Sequence, residues 1–279
     1  MKPSAFRYER PASLDALFDL LSGPGDKAVL AGGQSLIPAM NFRMARPALV
    51  VDLAGIPELR EIVREDGAIR IGATVTHAQL EDGAAPGPVQ SFLRRVAGGI
   101  AFRAIRNRGT IGGSLAHADP AADWLTALSC MQAEVEIANK SGRRRVAMEA
   151  FVLGPMTTAL GDGEIITAVV LPDPGETAFG WHKAVRKSGE FAEALAAVRL
   201  APDGAECWVG AIESPVRLPG RYDPAALAGD SRLGGRPEFE AVRQGVREMA
   251  PDADDYAVQL AAVAVCRAIA EAGAGEGAA

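Results

Sequence analysis

A helical period opens the chain. Leu14, Leu17, Phe18 and Leu21 recur at i, i+3, i+4 and i+7 behind Ser13, whose hydroxyl suits an N-cap, and Gly23-Pro24-Gly25 stops the run. A strand is expected at Lys27 to Leu30. Ala31-Gly32-Gly33-Gln34-Ser35 then turns the chain into a second helix carrying Leu36, Ile37, Met40 and Met44, with Pro38 tolerated in its first turn. Ala48 to Leu53 reads as a buried strand. This alternation predicts a small α/β subdomain over residues 1–55.

From residue 56 the pattern changes. Glu61 to Glu65, the turn Asp66-Gly67 and Ala68 to Ile71 predict a hairpin. Thr76 is placed to cap a short helix, and Val89, Phe92, Leu93, Val96 and Ile100 form an apolar helical stripe ending beside Gly98-Gly99. Strands at Ala133 to Ala138, Arg143 to Met148 and Glu164 to Leu171 complete a second subdomain, 56–174, closed by the turn Pro172-Asp173-Pro174-Gly175. Three further strands, Ala178 to Val185, Glu193 to Leu200 and Ala205 to Ile212, precede helices near Pro237 to Met249 and Asp254 to Ala272. They predict a small C-terminal α+β domain, 175–279, with a three-stranded sheet and helices. The tail, Gly273 to Ala279, is Gly and Ala except for Glu276 and is expected to be weakly held.

Composition narrows the function more than the fold. A chain of 279 residues, 48% hydrophobic and 23% charged, can bury a sizeable core in two or three units. Its net charge of −6 and single basic run, Arg143-Arg144-Arg145, offer no stripe for nucleic acid. That run sits beside a hairpin turn and is expected to be a solvated edge. The charged N-terminus, with no uninterrupted apolar stretch of bilayer length, predicts neither a secretory signal nor a membrane span and makes the cytoplasm the default compartment. Cys130, Cys207 and Cys266 are widely separated, and His77, His117 and His182 are equally dispersed. No metal site is expected, and an iron–sulfur cluster needs about four thiolates.

The candidate chemistry lies in two Gly-Gly segments read as turns, Gly32-Gly33 and Gly112-Gly113, each followed by a hydroxyl residue, Ser35 and Ser114. Glycine lets backbone approach a ligand closely, so that successive N–H groups converge on diphosphate oxygens. Neither segment is a Walker loop, and neither completes the Gly-x-Gly-x-x-Gly fingerprint. Together they suggest a pyrophosphate cradle in a nucleotide fold of another type.

Several stretches carry a resemblance in order and spacing: Ala31 to Pro38, the run Arg43…Pro47…Val51-Asp52-Leu53, Ile71 to Thr76, and Thr110-Ile111-Gly112-Gly113-Ser114 through Asp123. Over nearly its whole length the chain resembles the FAD-binding medium subunit of the xanthine dehydrogenase and carbon monoxide dehydrogenase (molybdenum hydroxylase) family. The resemblance implies an α+β architecture in which a two-subdomain FAD-binding fold, of the vanillyl-alcohol-oxidase-like type, precedes the small C-terminal domain. It implies that Ala31, Gly32, Gly33, Gln34, Ser35 and Leu36 hold the FAD pyrophosphate from one side and Thr110, Ile111, Gly112, Gly113 and Ser114 from the other. Asp123 would accept hydrogen bonds from the adenosine portion, Ile166 would lie near the flavin, and Lys187, in Arg186-Lys187-Ser188, would offer a cation to the reduced ring. The chain departs from the family's common pattern at Gln34, where His is frequent, at Ser114, where Asn is frequent, and at Glu190, where Asp is frequent.

The function so implied is electron transfer within a molybdenum hydroxylase complex. A [2Fe-2S] small subunit would feed this FAD with electrons from a molybdopterin-binding large subunit, in a dimer of heterotrimers, and an external acceptor would collect them. No catalytic side chain is assigned to this chain, nor the substrate or the acceptor. Two other classes stay open: a stand-alone FAD-dependent oxidoreductase of the wider fold group, and a binding module that kept the fold without the cofactor.

Overall fold

The first segment builds a three-stranded parallel sheet, ordered β1-β3-β2, from β1 (Arg7–Glu9), β2 (Lys27–Leu30) and β3 (Leu49–Asp52). The computed structural model describes residues 1–202, 204–211, 216–217 and 238–274. Helices α1 (Leu14–Ser22) and α2 (Leu36–Asn41) make the connections. Ser13 caps α1 by accepting the Ala16 N–H at 3.2 Å, and Leu17 and Phe18 enter a core with Leu49, Val51 and Leu53. Helix α2 stops before the expected Met44: Arg43 takes a φ of 60°, and Met44 turns out to solvent. Strand β1 had no sequence signal, because Arg-Tyr-Glu shows no apolar alternation, yet its backbone pairs with Leu49 to Val51 at the sheet edge.

The second unit is a five-stranded antiparallel sheet ordered β4-β5-β10-β6-β7. Its strands are β4 (Ile62–Glu65), β5 (Ala68–Gly72), β6 (Glu134–Asn139), β7 (Gly142–Ala147) and β10 (Ile165–Pro172), with a small hairpin, β8 (Val152–Gly154) and β9 (Thr157–Thr158), beside it. Asp66 and Gly67 both take positive φ, 49° and 74°, as a tight hairpin turn requires. The helices of this unit are α3 (His77–Glu81), α4 (Val89–Gly98), α5 (Arg103–Arg106), α6 (Ile111–His117), α7 (Asp123–Cys130) and α8 (Met148–Phe151). Thr76 forms a full capping box with Gln79 at the start of α3. The stripe Val89, Phe92, Leu93 and Val96 packs with Ile71, Leu115, Trp124 and Leu125 in the main core. Across the sheet, Arg70 on β5 pairs at 2.8 Å with Glu136 on β6, and the Thr167 hydroxyl donates to the same carboxylate at 2.7 Å; all three are buried. Arg143, Arg144 and Arg145 stand exposed on edge strand β7, each beside a glutamate.

The third unit is an antiparallel sheet ordered β11-β12-β13-β14. The three expected strands, β11 (Ala178–Ala184), β12 (Ala194–Ala201) and β13 (Gly204–Gly210), gain a two-residue edge partner, β14 (Val216–Arg217). Ile212, Pro237 and residues 275–279, which carried sequence expectations, lie outside the described residues. Helices α9 (Phe239–Met249) and α10 (Asp255–Ala274) cover one face. Helix α10 runs through Gly273 and Ala274, where a loose tail was expected. Period two divides β12: Ala194, Ala196 and Val198 face these helices, whereas Leu195 and Ala197 join the main core. The sheet is therefore a middle layer, buried on both sides. Gly180 on β11 lets α10 lie close, since a Cβ there would come within 1.8 Å of the Ala268 carbonyl oxygen. By length and mean hydropathy α10 could cross a bilayer, although Gln259, Arg267 and Glu271 interrupt its apolar run. Its Val258, Ala261, Val265, Ala268 and Ile269 are buried against the sheet instead.

Candidate cofactor site

A cavity of about 630 Å³, within the size range of ligand pockets, opens where the three units meet. Ala31, Gly32, Gly33, Gln34, Ser35, Leu36, Thr110, Gly112, Gly113, Ser114, Asp123 and Ile166 all line it. Two expected residues do not. Ile111 is fully buried, because the first turn of α6 points it into the main core. Lys187 is exposed outside the lining, in the loop after β11, and the cation at the wall is Lys183. The C-terminal unit also brings Gly189, Glu190 and Phe191 to the rim.

The two glycine segments differ in kind. Ala31 to Ser35 is a turn, with Gly33 at a φ of 73°. Among the described residues, the backbone N–H groups of Gly32, Gly33, Gln34, Ser35 and Leu36 make no backbone hydrogen bond, and the Gln34 side chain folds back to the Gly32 carbonyl at 3.1 Å. Successive unengaged N–H groups beside a cavity are what an anionic ligand needs. Gly112-Gly113, by contrast, is not a turn but the first turn of α6. There the Ile111 N–H donates to the Val75 carbonyl at 3.0 Å and the Gly112 N–H to that of Ala73 at 2.9 Å. The N-cap hydroxyl of Thr110 accepts the Gly113 N–H at 3.1 Å, and the Thr110 carbonyl accepts that of Ser114 at 3.0 Å. The second segment thus shapes the wall without offering amides.

The glycines serve close packing as well as the ligand. A Cβ on Gly32 would fall 2.1 Å from the Arg108 carbonyl oxygen, and one on Gly112 would fall 2.5 Å from the Ala73 Cβ. Gly32 therefore allows the first loop to cross the chain before α6, and Gly112 seats α6 on the end of β5.

Below this cradle is a set of buried polar groups. Asp123, 4% exposed in the first turn of α7, accepts a hydrogen bond on Oδ2 from Lys183 Nζ at 3.0 Å. Its Oδ1 is buried and has no hydrogen-bond partner among the other described residues. Burial pushes the carboxyl up to about 6, against the pull of Lys183. Next in sequence, Trp124 donates its indole N–H to His77 Nδ1 at 3.0 Å, which leaves His77 a neutral imidazole with its proton on Nε2. Burial, reinforced by Arg106, lowers the His77 pKa to about 4. The His77 backbone N–H donates to the Gly109 carbonyl at 2.9 Å, and Thr76 bridges to Thr110, tying α3 to the loop before α6.

Lys183, His77 and Gly109 escaped the sequence reading, although Lys183 left a trace. In β11, Gly180 and His182 face α10, so Lys183 shares the opposite face with Phe179 and Trp181, which contact Phe92. A lysine in register with a buried Trp181 and a partly buried Phe179 calls for a buried anion. The unengaged amides, the unpartnered carboxylate oxygen and a cavity of about 630 Å³ fit a dinucleotide with a diphosphate at one point and hydroxyl donors at another.

Known proteins match this arrangement. A family described as the FAD binding domain in molybdopterin dehydrogenase matches residues 4–174. The nicotine 6-hydroxylase medium subunit of Paenarthrobacter nicotinovorans is 38% identical over 200 residues, spanning 72% of this chain and 70% of that one. The carbon monoxide dehydrogenase medium chain of Afipia carboxidovorans is 36% identical over 214 residues, 76% and 74% of the two chains. Among solved structures, quinoline 2-oxidoreductase from Pseudomonas putida 86 superposes with a TM-score of 0.83 at 31% identity over 99% of both chains. The Cu,Mo carbon monoxide dehydrogenase in its cyanide-inactivated form gives 0.83 at 32%, over 98% of this chain and 99% of that one.

Proposed function

The chain belongs to the FAD-binding medium subunits of the molybdenum hydroxylase family, and from that premise we propose that it is the electron outlet of a larger assembly. In this reading a [2Fe-2S] small subunit delivers electrons taken from substrate at a molybdopterin-binding large subunit, the three associate as a dimer of heterotrimers in the cytoplasm, and an external acceptor collects the electrons. The observation that carries the reading is the pairing of five unengaged amides, Gly32 to Leu36, with the unpartnered oxygen of Asp123 across one cavity. Buried free thiols at Cys130 and Cys207 accord with a reducing compartment.

FAD, when bound, supplies one- and two-electron chemistry. The chain's own residues place and insulate it. The first-loop amides bind the diphosphate, Thr110 and Ser114 bound the opposite wall, and Lys183 fixes Asp123. Leu36, Ile105 and Ile166 add apolar lining that limits water. The chain divides at residues 55 and 174 into two FAD-binding subdomains and a C-terminal domain whose sheet packs on the second of them; the third unit's own apolar cluster supports the boundary at 174, whereas the first unit shares its cluster with Ile56, Leu59, Ala138 and Ile165 of the second.

The test is to purify the tagged chain from its native host and measure molybdenum, iron and FAD in the complex. The proposal expects all three, with one molybdenum per FAD. Catalytic substrate oxidation by the chain free of both metals would favour the stand-alone oxidoreductase.

A further inference from the structure

The unassigned feature of the cavity is a buried ion pair used on one side only. Asp123 Oδ2 is taken by Lys183, whereas Oδ1 is shut away from solvent without a donor among the other described residues. Lys183 has little freedom of its own: its side chain is buried, and Nζ also donates to the Gly99 carbonyl at 3.0 Å. Its stem crosses the apolar ground of β11, so this is not a surface charge that strayed inward. A buried carboxylate is stable only when paired and fully hydrogen-bonded. The missing donor must come from whatever fills the cavity, and FAD carries hydroxyl and amine donors.

We infer that Lys183 is a positioning residue for the cofactor, holding Asp123 ionised and oriented so that its free oxygen accepts a hydrogen bond from FAD. The inference rests on FAD occupying the cavity, and it goes further by making retention depend on pH. Strand β11 brings Lys183, the residue after α4 brings the Gly99 carbonyl, α3 brings His77, neutral and joined to the adjacent Trp124, and the Asp123 backbone N–H lies at its own carboxylate; His117 at the end of α6, Asp119 and Glu190 line the same cavity. Arg106 acts on His77 from beyond it. A donor on Oδ1 favours the ionised form, which burial alone disfavours. By linkage FAD then binds the ionised form more tightly, and affinity falls as pH drops through the region of 6.

The experiment is an FAD titration of the full chain, followed by flavin fluorescence between pH 5 and 8, for the parent and for Asp123→Asn, Lys183→Met and Lys183→Arg. In the parent the Kd rises on acidification, approaching about tenfold per pH unit below the transition, as one linked proton demands. Asp123→Asn binds more weakly at pH 7 and loses the pH dependence. Lys183→Met weakens binding at pH 7 and moves the transition to higher pH, and Lys183→Arg restores both. An ion pair that merely clamps β11 to α7 would leave the pH profile unmoved, so equal profiles in the parent and Asp123→Asn overturn the inference, even if Lys183→Met fails to fold. A parent that binds FAD with constant affinity overturns this inference alone; a folded parent that binds none at any pH overturns the FAD reading beneath it.

Discussion

Gly32→Ala probes the crossing on which the site is built. The new Cβ would lie 2.1 Å from the Arg108 carbonyl oxygen, 2.7 Å from its carbonyl carbon and 2.8 Å from the Gly109 Cα. Non-bonded carbon atoms rest about 3.5–4.0 Å apart, so relief requires roughly an ångström of movement between two backbone segments. Neither side has a rotamer to change. Overpacking of this kind costs about 3 kcal/mol, and at about 2–4 °C per kcal/mol for a chain of this size class the FAD-free protein should melt about 6–12 °C lower. Gly33→Ala is the control. Its Cβ would meet only the Ile37 Cγ1 at 3.0 Å and the Leu30 Cδ1 at 3.1 Å, side chains that can shift. The positive φ of 73° adds about 1–2 kcal/mol. Calorimetry of both FAD-free variants, with an FAD titration on each, reads the difference. Gly32→Ala should be the less stable and should bind FAD at least tenfold more weakly than the parent, because the displaced loop carries the amides of Gly32 to Leu36. Equal melting temperatures for the two variants, or a Gly32→Ala protein as stable as the parent, would refute the reasoning.

Two further outcomes follow from the buried charges. Arg70→Met leaves Glu136 ionised and buried with its main partner gone, at a cost of about 3–5 kcal/mol, whereas Arg70→Met with Glu136→Met removes both charges and should recover most of that in urea denaturation; a double variant as unstable as the single one would contradict this. Two buried groups act in opposite senses on the pH response of the FAD-free chain, on top of His182 and the paired carboxylates Glu81, Asp82, Glu136, Glu164 and Asp173, whose lowered pKa values all cost stability on acidification. His77 falls from 6.5 unfolded to about 4 folded, so the unfolded chain binds the extra proton between those values and stability is lost as pH falls through them. Asp123 rises from 3.8 to about 6, so the folded chain binds the extra proton and stability is gained as pH falls from about 6 towards 4. Melting curves from pH 4 to 7 should therefore depart from the parent's in opposite senses, His77→Gln losing less stability on acidification than the parent and Asp123→Asn losing more; departures of the same sense would exclude this pairing.

Much of this was legible in the sequence, for identifiable reasons. The helix at Leu14 to Ser22 announced itself by apolar period and cap, the Asp66-Gly67 hairpin by a turn only such residues make easily, and β12 by the apolar run Ala194 to Val198, buried on both faces. The short pieces were silent. β1 draws its stability from backbone pairing with β3, and the four-residue α5 exposes most of its residues, so neither writes a pattern into side chains. At the site, the glycine segments were visible, but their division of labour was not, because a sequence does not say which amides tertiary carbonyls consume. Ile111 followed Thr110 into the expected set by adjacency, and helical geometry then turned it inward. Lys187 was expected at the flavin on likeness alone, and Lys183 was not considered, because its role depends on which face of β11 meets α7, a long-range contact spanning the sequence from Asp123 to Lys183.

The central claim, that this chain holds FAD between its glycine loops and Asp123, is tested most directly by equilibrium dialysis of the purified, folded chain against FAD, with the bound nucleotide released and identified by mass spectrometry. The account predicts one FAD per chain, with flavin absorbance retained by the protein after gel filtration. A folded chain that takes up no FAD at saturating concentration would contradict it.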